Sequence, residues 1–239
     1  MEGIAVHALT KRYGRITAVD DLTFTLEPGR VTGFVGRNGA GKTTTLRILL
    51  GLTSATSGTA TVAGRRYADL RDPLRHVGAL IDPDCFHPGR TARNALRTVA
   101  RLARISDTRV DEVLDLVDLT DAAGRRVGGY SLGMRQRLAL AAALLGDPGT
   151  LVLDEPANGL DPDGVRWLRS LIRGLGEQGR SVLVSSHLLA ELAQTVDEVI
   201  VIEQGRLVAQ DRIAALADTG TETLEDVFVR LTATAKESS

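Results

Sequence analysis

The sequence has little cysteine and no surplus of either charge: among 239 residues it contains one cysteine, Cys85, with 29 basic and 30 acidic side chains. A single cysteine excludes an internal disulfide and favours a reducing compartment. The balanced charge gives no support to nucleic-acid binding, although a local basic patch can hide within a neutral total. With 43% apolar and 25% charged residues, the composition is that of an ordinary globular protein.

Long apolar runs are missing as well. The longest, LALAAALL at residues 138–145, is far shorter than the ~20 residues that cross a bilayer. The first residues contain no apolar stretch of signal-peptide length. If the protein serves a membrane, we therefore expect it to act from the surface, through a partner.

Apolar periodicity predicts an α/β fold. Between the predicted strands lie segments with helical spacing, and apolar strands that alternate with helices favour a parallel sheet covered on both faces. In the first 30 residues the alternation of Leu22, Phe24 and Leu26 predicts antiparallel strands instead. Short β-branched runs predict the strands of the parallel sheet at 31–35, 77–81, 151–154, 181–186 and 199–202.

The strand–helix alternation stops between about residues 83 and 146, where three consecutive helices are predicted. We expect one domain over residues 1–239. Its α/β core would comprise 1–82 and 147–210, with a helical lobe inserted at 83–146. The end, 211–239, is predicted to form a short amphipathic helix and a polar tail.

A glycine-rich segment, GRNGAGKTT, lies between a predicted strand and a predicted helix and fits the pattern G-x-x-x-x-G-K-[ST]. Its backbone N–H groups and the helix dipole favour phosphate, Lys42 adds a positive charge, and the Thr43 hydroxyl suits Mg²⁺. A chance glycine-rich turn is the alternative, but spacing and context both oppose it. The predicted ATP-binding residues are Gly36, Arg37, Asn38, Gly39, Ala40, Gly41, Lys42, Thr43 and Thr44.

Two carboxylates end the predicted strand in LVLDEPANGLDP, residues 151–162. Asp154 can hold Mg²⁺ through its water shell, and Glu155, which points differently, can take a proton from an attacking water. The alternative is a turn with solvated acids. Beside a phosphate loop, the pair predicts nucleotide hydrolysis.

In their order and spacing these segments resemble the nucleotide-binding subunit of ABC transporters over essentially the whole chain. The resemblance implies a RecA-like P-loop NTPase fold: a mostly parallel sheet, an N-terminal antiparallel β part and an inserted helical lobe. It implies an ATPase that uses ATP and Mg²⁺. Tyr13 is placed to stack on adenine, His187 to act as the switch histidine at the γ-phosphate, and Asp161 to belong to the D-loop.

The segment YSLGMRQR, residues 130–137, occupies the family's signature position. The resemblance implies that Ser131, Leu132 and Gly133, with Asp161, face the ATP held by a second copy. Two copies would then bind head to tail around two ATPs. We expect the signature helix to begin near Met134, so that the Ser131 hydroxyl and the Gly133 N–H reach a γ-phosphate.

Two departures from the usual sequence motifs of the family indicate a particular branch of it. Leu132 and Met134 replace a glycine and a glutamine of the signature, and Asp82 stands where the family usually has a glutamine. Asp82 is a tentative Mg²⁺ ligand; alternatively it only starts the turn at Pro83. Both departures resemble bacitracin-resistance and antibiotic-efflux exporter ATPases.

In such exporters the membrane permease is a separate polypeptide, and residues around 82–100 would receive it. The expected partners are therefore a second copy and a permease, with no nucleic acid, and the expected location is cytoplasmic, peripheral on the inner face of the cell membrane. An importer ATPase remains an alternative, as does a nucleic-acid or ribosome-associated ABC-type ATPase. A P-loop small-molecule kinase would not explain Ser131, Gly133 and His187 in register.

Overall fold

A computed structural model of the chain describes residues 3–188 and 192–217. The described residues form two compact units, one from 3–70 and 172–217 and one over Arg71–Leu171. The predicted C-terminal amphipathic helix falls largely outside the described residues. Within them, no helix is both long and apolar enough to cross a membrane.

The described elements follow one another in a mixed order of strands and helices. The strands are β1 (Ile4–Tyr13), β2 (Ile16–Thr25), β3 (Val31–Val35), β4 (Ser57–Val62), β5 (Val77–Leu80), β6 (Thr150–Leu153), β7 (Ser181–Ser186), β8 (Glu198–Glu203) and β9 (Arg206–Arg212). The helices are α1 (Lys42–Leu49), α2 (Ala92–Leu102), α3 (Asp107–Leu116), α4 (Leu132–Leu144), α5 (Pro162–Glu177) and α6 (Ile213–Ala217). Short 3-10 turns lie at Tyr67–Asp69, Pro73–Arg75 and Val127–Gly129.

An antiparallel sheet forms from the N-terminal part of the first unit, in the order β2-β1-β4. Leu22, Phe24 and Leu26 are buried and alternate with exposed residues, which places one face of the sheet against the core. The antiparallel prediction for this part of the chain is confirmed.

The first unit also contains parallel strands. β3 pairs in parallel with β7 on one side and β8 on the other, and β9 continues antiparallel to β8. All residues of β3, β7 and β8 are buried, as expected of parallel strands covered on both faces. Val35 pairs with Ser186, so the loops that follow β3 and β7 leave the sheet side by side.

The second unit combines the parallel pair β5 and β6 with the helices α2, α3 and α4. Thr91 and Ser106 begin α2 and α3 as N-caps, each accepting a hydrogen bond from an N–H in the first turn. The buried side of α4 carries Leu138, Leu140 and Leu144, and it packs on β5. Three consecutive helices are therefore present where the sequence predicts them; the lobe boundaries at 83 and 146 stay a prediction.

A buried polar pair joins β3 to β8. The Thr32 hydroxyl donates to the Glu198 carboxylate at 2.8 Å, and both side chains are buried. A buried carboxylate depends on such donors because its desolvation is otherwise uncompensated.

We therefore expect Thr32→Val, which keeps the shape but removes the donor, to lower the free energy of unfolding by about 1–3 kcal/mol. Urea titration followed by circular dichroism measures this change. Thr59→Val, at an exposed position of β4, is the matched control. Equal stability of the two variants would contradict the structural importance of the pair.

Candidate active site

The phosphate loop joins β3 to α1 and is fixed by backbone hydrogen bonds at both ends. The Gly36 N–H donates to the Ser186 carbonyl at 3.3 Å, and the Gly205 N–H donates to the Ala40 carbonyl at 2.9 Å. Gly41 has a φ of 102°, and a β-carbon there would lie 2.5 Å from the Ala18 carbonyl oxygen. The loop therefore depends on glycine at this position, directly before α1.

Lys42, the first residue of α1, is only 6% exposed. Its ammonium group donates to the Gly36 carbonyl at 2.6 Å and to the Arg37 carbonyl at 3.4 Å. The positive charge is thus held inside the loop, beside the leading N–H groups of α1, which have no partner within the helix. This combination is suited to binding an anion such as a phosphate.

His187 follows β7 at the sheet edge from which the phosphate loop also emerges. Val35 pairs with Ser186, so Gly36 and His187 are the next residues on adjacent strands. The Ser186 hydroxyl accepts a hydrogen bond from the Leu188 N–H at 3.0 Å, which turns the chain directly after the histidine. His187, which is partly exposed, therefore follows β7 next to the start of the loop.

Tyr13 ends β1, and its side chain is 49% exposed. The Lys11 ammonium lies 4.7 Å from the centroid of its ring. One face of the ring is therefore in a cation–π contact. The remaining exposed surface can stack on a planar group such as a purine.

The acidic pair lies in the second unit at the end of β6. The Asp154 N–H donates to the Leu80 carbonyl at 2.7 Å, and the residue is 8% exposed. Glu155 has a φ of 46°, in the left-handed region that non-glycine residues seldom adopt. The backbone therefore changes direction at Glu155, directly after Asp154.

Asp82 leaves β5 beside the acidic pair, because Leu80 pairs with Leu153. One of its carboxylate oxygens accepts a hydrogen bond from the Asp84 N–H at 2.9 Å, which forms the turn at Pro83. Burial, and next the negative charge of Asp82, raise the pKa of the Cys85 thiol. The turn predicted as the structural alternative is present.

Ser131 is the N-cap of α4. Its hydroxyl oxygen accepts from the Met134 N–H at 3.2 Å, and its carbonyl accepts from the Arg135 N–H at 3.0 Å. The expectation that the helix begins near Met134 is therefore wrong: the cap makes it begin at Leu132. Since the hydroxyl uses a lone pair in the cap, its hydrogen remains available to donate, beside the leading N–H groups of the helix.

Two arginines fix the direction of α4. Arg135 donates to the Tyr130 carbonyl at 2.8 Å, and its Nε lies 2.6 Å from a carboxylate oxygen of Asp84. The Arg137 guanidinium lies 4.1 Å from the centroid of the Trp167 ring. The ion pair between Asp84 and Arg135 joins the Asp82 turn to the signature segment within the second unit.

Asp161 precedes α5 and caps it. Its carboxylate accepts from the Gly164 N–H at 2.7 Å, and its carbonyl accepts from the Val165 N–H at 2.9 Å. The residue therefore has a structural role in addition to the predicted D-loop role.

Residues 19–158 match the ABC transporter family. The chain belongs to this family. It is 43% identical over 205 residues to a bacitracin transport ATP-binding protein of Bacillus licheniformis, which covers 84% of this chain and 67% of that protein. It is 37% identical over 214 residues to a Nod factor export ATP-binding protein of Burkholderia lata, covering 87% of this chain and 70% of that one.

The structure resembles a solved ATP-binding subunit of an ABC transporter, with a TM-score of 0.85 and 25% identity over 96% of this chain and 99% of that chain. The predicted fold class is therefore confirmed. The protein is an ABC transporter ATPase: it binds ATP, and the hydrolysis of ATP drives transport.

The predicted site residues of this ABC transporter ATPase fall into two groups. The phosphate loop, Tyr13 and His187 lie in the first unit, and the carboxylates and the signature segment lie in the second. One residue that the sequence analysis missed is Gln136, which is buried on α4 although it is polar. A sequence signal existed: Gln136 shares a helical face with Leu140 and Ala143, at spacings of four and seven.

The cap at Ser131 allows its structural and phosphate-binding roles to be separated. We expect Ser131→Ala to lower the free energy of unfolding by about 0.5–2 kcal/mol, because the Met134 N–H loses its partner. Ser131→Asp should keep the stability, since aspartate is a good N-cap, yet should repel a phosphate. Urea titration and ATPase assays of both variants check this. A stable, fully active Ser131→Asp variant would contradict the phosphate-binding role.

Proposed function

We propose that this ABC transporter ATPase powers a separate membrane permease that exports a drug, antibiotic or peptide, through ATP-driven head-to-tail closure of two copies. The observation that supports the proposal is that one chain has two helix starts suited to an anion, at α1, which begins with the buried Lys42, and at α4, which Ser131 caps. The first binds the chain's own ATP. The second binds the γ-phosphate of the ATP held by the partner.

The direction of transport is supported by relatives rather than by geometry. One relative is named for Nod factor export and another for bacitracin transport. The signature wording with Leu132 and Met134 is typical of exporter ATPases of this kind. Export through a separate permease, with this chain at the inner face of the membrane, follows as the simplest assignment.

Residue roles follow from the positions described above. Lys42 and the N–H groups of α1 bind the β- and γ-phosphates, and Tyr13 stacks on adenine. Glu155 accepts a proton from the attacking water, and His187 orients that water and the γ-phosphate. Asp161, at the D-loop, and the signature face the partner's ATP.

Mg²⁺ fits the oxygen donors that the chain offers. Asp154 supplies a largely buried carboxylate at a strand end and Thr43 a hydroxyl in the first turn of α1, and Mg²⁺ prefers such oxygen ligands together with phosphate oxygens. When bound, the ion neutralises charge on the phosphates. The protein's part is to supply these oxygens, and Glu155 directly follows Asp154 in the chain.

Closure of the pair is a population shift. ATP that contacts both α1 of one copy and α4 of the other binds the closed pair more tightly than the open one, so it favours closure. Loss of the γ-phosphate removes the group that α4 recognises, which releases the pair. The permease uses this cycle of closing and opening.

Glu155→Gln tests the proposal directly. The amide cannot accept the proton, so we expect ATP hydrolysis to fall by at least about a hundredfold, in line with the loss of a general base. ATP binding should persist, and the variant should dimerise in ATP and Mg²⁺. Phosphate release and size-exclusion chromatography measure the two effects. Hydrolysis at the wild-type rate would overturn the assignment of Glu155.

Asp82 allows a matched comparison of charge and turn. Asp82→Asn keeps an oxygen for the Asp84 N–H but removes the charge, whereas Asp82→Ala removes both. If the carboxylate senses Mg²⁺, both variants should need several times more Mg²⁺ for half-maximal ATPase, which a Mg²⁺ titration measures. If Asp82→Asn has the wild-type Mg²⁺ requirement, the Mg²⁺ role of Asp82 is contradicted, and its role is to form the turn at Pro83.

A further inference from the structure

Gln136 is a polar side chain buried to 4% exposure on α4. Its amide nitrogen lies 2.9 Å from the Pro156 carbonyl oxygen and 3.4 Å from the Glu155 carbonyl oxygen. Both neighbours can only accept hydrogen bonds, so the amide must present its nitrogen to them. α4 is therefore bonded to the backbone of the candidate base and of the residue after it.

The backbone held by Gln136 is the one with the unusual conformation. Glu155 has a φ of 46°, and the Asn158 N–H donates to its carbonyl at 3.1 Å. A non-glycine residue stays in the left-handed region only when its surroundings fix it there. The hydrogen bonds from Gln136 help to hold this conformation, because they reach the carbonyl groups of Glu155 and Pro156, which follow the Glu155 α-carbon in the chain.

A second contact ties the same segment to the first turn of α4. A β-carbon on Gly159, whose φ is 76°, would lie 2.1 Å from a terminal carbon of the Leu132 side chain. Leu132 therefore lies directly over Gly159. Residues 155–159 are held by α4 at both ends, through Gln136 at one and Leu132 at the other.

We propose that Gln136 is a positioning residue that sets the direction of the Glu155 carboxylate and ties it to the signature helix. The phosphate-binding start of α4 at Ser131 and the proton-accepting carboxylate then move together. One chain thereby links the ATP of its partner, bound at Ser131, to hydrolysis of its own ATP at Glu155. This inference rests on the proposed function, in particular on Glu155 as the base.

Loss of the Gln136 hydrogen bonds should change the rate of ATP hydrolysis rather than the affinity for ATP. Gln136 contacts the Glu155 segment and is not one of the phosphate ligands proposed for the chain's own ATP. When its donor is lost, one of the bonds that hold Glu155 in the left-handed conformation is lost, and a misplacement of about 1 Å can cost about a hundredfold in rate. The turnover number should fall while the affinity for ATP stays the same.

Two substitutions separate hydrogen bonding from packing. Gln136→Met keeps the length and volume of the side chain but has no donor. Gln136→His packs less well, yet its Nε2–H stands at the position of the glutamine amide nitrogen and can donate to the same carbonyls. If packing determines the turnover number, the Met variant should be the faster of the two. If the hydrogen-bond donor determines it, the His variant should be the faster.

The experiment measures the turnover number, the dissociation constant of a fluorescent ATP analogue and the melting temperature for the full chain. We expect Gln136→Met to lose about ten- to a hundredfold in turnover number with less than about twofold change in ATP affinity. Gln136→His should stay within about threefold of wild type. Leu140→Met, a change in the buried face of the same helix, controls for core repacking and should also stay within about threefold.

The opposite results overturn the inference. They are a Met variant with wild-type turnover, a His variant slower than the Met variant, or loss of turnover and ATP affinity in parallel. Should Gln136→Met not fold, the His variant decides: turnover near wild type supports the donor, and turnover as low as that of Glu155→Gln overturns it. Failure of the proposed function is distinct, because Glu155→Gln itself would then hydrolyse ATP at the wild-type rate.

Discussion

The N–H groups in the first turns of α1 and α4, which have no acceptor within their own helix, are the constraint on which the proposed site depends. A helix leaves its first N–H groups without partners, and a phosphate can supply them. At α1 the glycine-rich loop and the buried Lys42 complete the anion site within one chain. At α4 Ser131 caps the helix, and Gly133, which has no side chain, lies in its first turn. The second start has no lysine of its own, which fits a phosphate already held by a partner.

Within each unit, parallel strands that end together place the residues that follow them next to one another. β3 and β7 end together, so the phosphate loop and His187 emerge as neighbours. β5 and β6 end together, so Asp82 emerges beside Asp154 and Glu155. In both pairs the proposed functional residues follow the ends of the strands. The chemistry therefore sits in loops, while their spacing is set by backbone hydrogen bonds of the sheet.

Much of this could be predicted from the sequence, because the relevant signals are local. Glycine spacing, strand-end carboxylates and alternating burial all act over fewer than ten residues, and the fold class and the predicted parallel strands agree with the structure, whereas β4 and β9 were not predicted. The start of α4 was missed because capping depends on one side-chain hydrogen bond, which a serine can make or not make. The partners of Gln136 were missed because they lie about twenty residues away. A buried glutamine is expected to have hydrogen-bond partners, but only the folded structure shows which residues they are.

Leu132 shows why a departure from a family pattern is better understood with its neighbours than alone. A leucine in place of a small residue adds bulk at the first turn of α4, and that bulk must be accommodated. Gly159 accommodates it, since any β-carbon there would collide with the leucine side chain. The two residues belong to the signature and to the D-loop, which both face the partner's ATP in the proposed pair. The bulk of Leu132 thus depends on a glycine at position 159, and the contact gives α4 a second hold on the segment that carries Glu155.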